Sequence, residues 1–267
     1  MKFPLKNNVS WKNIFIPNKN KIMNAVDLFS KDKLKMKKIV FLLCGKPGTG
    51  KTSFVKALAN ETKRNVINIK LSMLEDDMQL MDVMFNPTIY SKNDKDIIPI
   101  SDRIYLLEDI DAESKIVLSR KEEPDKKDEL PKNEPPMILK KDDSEDDETD
   151  IKKKYFRQKT LTLSGLLNCL DGVIELYHGI VIMTTNHPEK LDEALIREGR
   201  VTIRLELENI KKPELLEMLK YHFPNDCINM DKFNRIEDNK FSPAKVENIC
   251  QMNWDKDVNY IIDCLLK

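Results

Sequence analysis

The chain has little of what most metal, redox and membrane chemistry needs. Its five cysteines (Cys44, Cys169, Cys227, Cys250 and Cys264) form no C-x-x-C pair and are odd in number. That argues against a disulfide framework and points to a reduced, intracellular compartment. Cys44 and Cys169 fall inside apolar runs and read as small core hydrophobes. The three histidines, His178, His187 and His222, are scattered without metal-ligand spacing; His187 reads as a residue at the rim of a site described below. Net charge is also lacking: 45 basic residues balance 45 acidic ones. Neither nucleic acid nor an anionic membrane surface is favoured as a partner on that total. No apolar run approaches the length of a membrane span, and no secretory h-region is present. The first acidic residue is Asp27, but the stretch before it has no arginine and little serine. An organelle import signal is therefore not supported, and cytosol or nucleus is the expected location, ahead of mitochondria.

What is present begins with Gly45-Lys46-Pro47-Gly48-Thr49-Gly50-Lys51-Thr52, which fits G-x-x-x-x-G-K-[ST]. Before it runs Ile39-Val40-Phe41-Leu42-Leu43-Cys44, an unbroken apolar run like a buried parallel strand. After it, Phe54, Val55, Leu58 and Ala59 recur at helical spacing. Strand, glycine loop and helix in that order predict a phosphate site. The glycines let successive N–H groups converge on an anion, and the following helix aims its N-terminal N–H groups at the same place. Residues 45–53, including Ser53 in the first helical turn, are the candidate nucleotide-binding set. Lys51 is placed to reach the β- and γ-phosphates, and Thr52 to complete a Mg²⁺ shell.

Along the chain, residues 1–35 form a lead-in with an apolar cluster (Val9, Trp11, Ile14, Phe15, Ile16). An amphipathic helix follows over about 20–35. This segment either packs beside a nucleotide base or merely covers the sheet edge. A second strand is expected at 66–71, then a helix whose core face includes Met78, Met81 and Phe85. A third strand, 104–107, runs into Glu108-Asp109-Ile110-Asp111. Residues 119–158 change character: they are dense in Lys, Asp and Glu, hold four prolines and few large apolar residues. Such a stretch cannot bury enough surface to offset its ordering entropy, and it reads as a disordered charged insertion with Met137-Ile138-Leu139 as a docking segment. Leu163, Leu166, Leu167, Leu170 and Val173 then mark a helix ending near Gly172. A fourth strand, 179–185, ends at Asn186. A short helix over about 192–197 and a fifth strand alternating at Val201, Ile203, Leu205 and Leu207 complete the alternation. Residues 209–267 read as helical: Pro213 starts one helix, Ser242 and Pro243 start another carrying Val246, Ile249 and Cys250, and Asp255 caps a last one. The expected fold is α/β: a three-layer αβα P-loop domain with a five-stranded parallel sheet over 36–208, followed by a small all-helical lid.

Three further stations qualify the loop. Glu108 and Asp109 end an apolar strand, where one carboxylate can hold Mg²⁺ through water and another can orient an attacking water. Asn186 ends the fourth strand, at the edge where open α/β sheets bind ligands. Arg197 and Arg200 flank Gly199, and an arginine can stabilise charge on a transferring phosphoryl group.

Residues 45–52, 106–112, 183–186 and Leu191-Asp192-Glu193-Ala194-Leu195-Ile196-Arg197-Glu198-Gly199-Arg200 together resemble the AAA clade of the AAA+ ATPases. Leu107-Glu108-Asp109-Ile110-Asp111-Ala112, Leu163-Ser164-Gly165-Leu166-Leu167-Asn168-Cys169-Leu170-Asp171-Gly172 and Met183-Thr184-Thr185-Asn186-His187 resemble its mitochondrial Bcs-type branch, chaperones of respiratory complex III assembly. The resemblance spans about 9–115 and 160–265. It implies ATP and Mg²⁺ as ligands and a homo-oligomeric ring, hexameric or heptameric, with each site at a subunit boundary. It also implies a protein substrate, whose identity the sequence does not give. By position it makes Lys51 and Thr52 the phosphate and metal residues, Asn186 the γ-phosphate sensor, and Arg197 and Arg200 fingers into the neighbour's site. Residues 242–244 match the start of the lid helix bordering the nucleotide.

The sequence also departs from the wider family. The third strand ends Glu108-Asp109 rather than Asp-Glu, an order the Bcs-type branch shares. By position Glu108 takes the metal role and Asp109 the base role, and on a continuing strand the two would point opposite ways. No aromatic–hydrophobic–glycine pore motif follows the second strand, which counts against threading of an unfolded chain. No counterpart of the transmembrane segment and substrate domain of the mitochondrial chaperone is recognised, so neither a membrane span nor a Rieske substrate is expected. Two other function classes stay open at this level: a nucleotide-dependent scaffold with little turnover, and a small-molecule P-loop kinase.

Overall fold

The computed structural model describes residues 9–90, 95–113, 115–118 and 160–267. In chain order, α1 (Lys19–Ser30) precedes β1 (Ile39–Cys44), α2 (Lys51–Thr62), β2 (Asn65–Asn68) and α3 (Asp77–Phe85). Next come β3 (Thr88–Tyr90), β4 (Lys95–Ile97), β5 (Arg103–Leu107), α4 (Ile110–Glu113), α5 (Leu163–Asp171) and β6 (Ile180–Thr185). The remainder is α6 (Glu193–Ile196), β7 (Ile203–Glu206), α7 (Lys212–His222), α8 (Met230–Asn234), α9 (Pro243–Met252) and α10 (Val258–Leu266). The charged stretch 119–158, with its expected docking segment, lies outside the described residues.

Five strands form one sheet in the order β2-β5-β6-β1-β7, and every pairing in it is parallel. The central strands β1, β5 and β6 are buried at every position, as expected of parallel strands covered on both faces. Alternation along them divides the core. Ile39, Phe41, Leu43, Ile104, Leu106, Ile180 and Ile182 pack with Trp11, α1 and α2. Val40, Leu42, Cys44, Tyr105, Leu107, Val181 and Met183 pack with α3 and α5 on the other face. This is the expected three-layer αβα arrangement. Burial pushes the thiols of Cys44 and Cys169 up to about 11 and that of Cys250 to about 12, so all three act as core hydrophobes.

Local expectations needed correction in places. β2 stops at Asn68 and gives way to a 3₁₀ turn at Leu71–Met73. Helix α3 turns Leu80 and Met84 into the core, with Met81 and Phe85 packed against it as expected, and leaves Met78 exposed. Val173 lies beyond α5 and is fully exposed. The last helix is capped by Asp257, which accepts from the Tyr260 N–H at 2.8 Å; Asp255 instead pairs with Lys256. The antiparallel hairpin β3–β4 was not expected. Its two feet are held by the buried Arg103, which donates to the carbonyls of Asn86 and Ile98, each at 2.8 Å.

Helices α7 to α10 have their own core, built on Leu215, Met218, Leu219, Phe233, Val246, Cys250, Val258, Ile261, Ile262 and Leu265. One side chain of the lead-in, Phe15, belongs to this helical core, while Trp11, four residues earlier, packs edge-on against Phe54 of α2 at 5.3 Å. The lead-in therefore binds both halves together.

Candidate nucleotide site

Strand register brings the predicted stations together. Cys44 lies opposite Thr185, and Leu107 opposite Met183, so β1, β6 and β5 end side by side. The loop at 45–50, the acids 108–109 and Asn186 all leave from this one edge, where open parallel sheets bind ligands. Gly45 donates its N–H to the Thr185 carbonyl at 3.1 Å, and a Cβ there would fall 2.0 Å from the Leu207 carbonyl oxygen. Only glycine fits that crossing. Gly50 holds the N-cap of α2 at φ 103°, a left-handed conformation that a side chain would strain. Thr49 closes the loop by donating to the Lys46 carbonyl at 2.8 Å. The first-turn N–H groups of α2 have no acceptor within the helix, so loop and helix end together present an anion cradle.

Lys51 is the hub. Its ammonium donates to the Gly45 carbonyl at 2.5 Å, the Lys46 carbonyl at 3.2 Å and Asn186 Oδ1 at 2.7 Å. Asn186 Nδ2 in turn donates to Asp109 Oδ1 at 3.3 Å. Asp111 fixes the strand end behind them, accepting from the Thr185 hydroxyl at 2.7 Å and the Asn186 N–H at 3.2 Å. Burial pulls the Lys51 ammonium below its ordinary pKa, and the nearby charges of Asp109 and Asp111 oppose that shift. Asp111 and Thr184, whose hydroxyl accepts from the Asp109 N–H at 2.9 Å, were not singled out as site residues from sequence. Their signal was the acid and hydroxyl pattern at two adjacent strand ends.

The alternation argument for Glu108 and Asp109 does not apply. β5 ends at Leu107, and Asp109 takes φ 43°, so the chain has already turned. Both carboxylates consequently line the same cleft. Glu108 accepts from Asn68 Nδ2 at 3.1 Å.

The cleft has a volume of about 850 Å³ and is lined by Pro47 to Ser53, Glu108, Asp109, Thr184 and Asn186. Gly45 and Lys46 stand outside the lining and shape the loop from behind. The opposite walls come from the lead-in (Val9 and Asn13 to Ile16) and from the lid (Met218, Pro243, Ala244, Glu247 and neighbours on α9). The Ala244 N–H donates to the Gly48 carbonyl at 3.1 Å, which pins the start of α9 to the glycine loop. Within the lead-in, α1 packs on one face of the sheet and residues 13–16 line the cleft. Glycine cradle, lysine and a set of oxygen donors (Thr52, Glu108, Asp109) fit a nucleoside triphosphate with Mg²⁺, a hard cation that takes oxygen ligands.

Residues 41–132 and 143–209, more than half of the chain, match the model of the ATPase family associated with various cellular activities, AAA. The chain belongs to the AAA family. An AAA family protein of Acanthamoeba polyphaga mimivirus is 31% identical over 215 residues, covering 78% of this chain and 98% of that protein. An AAA-ATPase of Arabidopsis thaliana is 30% identical over 269 residues, covering 92% of this chain and 50% of the plant protein. The human mitochondrial chaperone BCS1 is 32% identical over 212 residues, covering 78% of this chain and 41% of the chaperone. The chain therefore spans about half or less of the plant and mitochondrial relatives. It is an AAA-type ATP hydrolase with Bcs-like kinship. Among the described residues no helix is long and apolar enough to cross a membrane.

In this AAA chain the predicted arginines do not join the cleft. Arg197 and Arg200 flank a turn made by Gly199 at φ 92° and reach toward Asp171 at the end of α5. Arg197 Nη2 and Arg200 Nε lie 3.8 and 3.7 Å from Asp171 Oδ2, and Lys38 Nζ lies 3.8 Å from its Oδ1. The Arg197 side chain is 59% exposed, that of Arg200 13%. His187, exposed and paired with Glu189, also stands outside the lining.

Proposed function

We propose that the chain works as a homo-oligomeric ring, hexameric or heptameric, that couples ATP hydrolysis to remodelling of a protein partner. One observation carries the reading: Lys51, Asn186 and Asp109 are hydrogen-bonded in series and line one cleft, while Arg197 and Arg200 sit outside its lining. Arginines placed there are useful to a site on another copy. In this reading Lys51, Thr52 and the loop N–H groups bind the triphosphate, and Thr52, Glu108 and Asp109 hold Mg²⁺ directly or through water. Bound Mg²⁺ offsets charge on the phosphate oxygens. Asp109 orients the attacking water, Asn186 links Asp109 to the lysine and senses the γ-phosphate, and the arginines of the neighbouring copy stabilise transition-state charge. The Bcs-like relatives named as mitochondrial chaperones support a chaperone-like role and keep mitochondria in view beside cytosol and nucleus.

Complementation tests it. A Lys51→Ala chain has a disabled site and intact arginines, and an Arg197→Ala/Arg200→Ala chain has the reverse. Mixed in equal amounts with ATP, they are expected to hydrolyse ATP well above either alone. Native mass spectrometry should show a ring with ATP present. A monomer with and without ATP, or no gain on mixing, would overturn the ring reading.

A further inference from the structure

The lid wall of the cleft carries an acid that the phosphate chemistry does not use. Glu247 lies on α9, one turn beyond Ala244, and lines the cleft with Asn248, Gln251 and Met252. It is fixed from two sides. Its Oε2 lies 2.9 Å from His222 Nε2 at the end of α7, and its Oε1 accepts from Gln251 Nε2 at 2.7 Å. The His222 hydrogen bond, the largest influence, holds the Glu247 carboxyl below the usual carboxylate range. The Glu247 side chain is 37% exposed, and each carboxylate oxygen can accept more than one hydrogen bond.

A fixed negative charge in a cleft for a polyanion is tolerable only where the ligand presents donors. Glu108 and Asp109 meet that demand through a metal; Glu247 stands on the opposite wall. The order along α9 supplies the rest. Ala244 touches the glycine loop, and Glu247 lies about 4.5 Å further along the helix axis at 1.5 Å per residue. Asn248, Gln251 and the thioether of Met252 lie at or beyond it. That runs from phosphate contact through an acceptor to amides and an apolar group, matching a nucleotide laid from phosphate through sugar to base. Resting on the nucleotide reading of the cleft, we infer that Glu247 is the residue that reads the sugar, accepting a hydrogen bond from a ribose hydroxyl and selecting ribonucleoside over deoxyribonucleoside triphosphates. His222 is its positioning residue.

The test is equilibrium binding of ATP, 2′-deoxy-ATP, 3′-deoxy-ATP and inosine triphosphate to the full chain. Wild type is expected to bind ATP about tenfold more tightly than one or both deoxy analogues, the size of one charge-assisted hydrogen bond. Glu247→Ala is expected to bind all three adenine nucleotides alike. Glu247→Gln, which keeps shape and one acceptor, should retain part of the preference and guards against a folding defect in the alanine variant. His222→Ala should shrink the ratio between ATP and its deoxy analogue, a readout that a packing role alone does not move. Equal binding of ATP and both deoxy analogues by wild type overturns the inference, as does a preference that survives in Glu247→Ala. If Glu247→Ala erases only the preference for ATP over inosine triphosphate, the carboxylate reads the base amine and the inference is likewise overturned. Lys51→Ala in the same assay separates the two levels: undiminished binding there would remove the nucleotide reading itself.

Discussion

Two clusters of charged side chains, one around Lys51 and one around Asp171, are built to different tolerances. Around Lys51, the contacts to Asn186 and from Asn186 to Asp109 and Asp111 span 2.7 to 3.3 Å. They join the ends of three neighbouring strands whose register is fixed by core burial. Around Asp171, two arginines and a lysine stand at 3.7 to 3.8 Å, beyond hydrogen-bond length, beside an acid that is 40% exposed. The first cluster is rigid because the sheet is. In the second, Arg197 is loose and faces outward, so its guanidinium can turn to another acceptor at little cost, whereas Arg200 is largely buried and also donates to the Ala194 carbonyl. A tight cluster inside the cleft and an exposed arginine outside it suit the shared site proposed above.

The largest expected effect tests the second cluster. Arg197→Ala or Arg200→Ala should lower the turnover of the assembled protein by roughly 10³-fold, the low end for a finger arginine. ATP affinity measured on the single chain should stay near wild type, because neither arginine lines the cleft. A parallel loss of affinity would place these residues in the chain's own site and erase the contrast. Next comes the first cluster. Lys51→Ala should cost roughly 10²-fold in turnover and weaken nucleotide binding as well, since it removes a donor that serves phosphate before and during the reaction. Loss of turnover with binding intact would contradict the role given to Lys51.

These contrasts were unequally legible in the sequence. The first cluster was readable because its parts are local: a glycine loop between an unbroken apolar run and a helical pattern, and polar residues at the ends of apolar strands. The lid wall was not. Val246, Ile249 and Cys250 announced the buried face of α9, but Glu247, Asn248 and Gln251 gain meaning only once Ala244 is seen against Gly48. The hairpin β3–β4 is not legible because two three-residue strands carry too little periodicity, and the role of its anchor, Arg103, depends on contacts that only the fold creates. Asp109 misled in another way. Strand alternation was extended past Leu107, where backbone at φ 43° had already ended it. Helix α3 shows the same limit, since Met78 and Leu80 are equally apolar and only tertiary packing chooses between them.

Smaller changes sharpen the comparison further. Asn186→Ala breaks the bridge from Lys51 to Asp109 while leaving both charges and the loop in place. Turnover is expected to fall about tenfold, and affinity for ADP, which has no γ-phosphate, should hardly move. Equal losses for ATP and ADP binding would mean that Asn186 serves loop structure rather than the terminal phosphate.

Asp171→Asn addresses the loose cluster directly and should have the smallest effect. Contacts of this length at a partly exposed acid are worth at most about 1 kcal/mol, which bounds the change in turnover at about fivefold. The arginines remain present and charged, so KM for ATP should be unchanged and the loss should appear in kcat alone. A loss as large as that of Arg200→Ala would show that Asp171 holds the arginines in their working geometry. The second cluster would then be as rigid as the first, despite its longer distances.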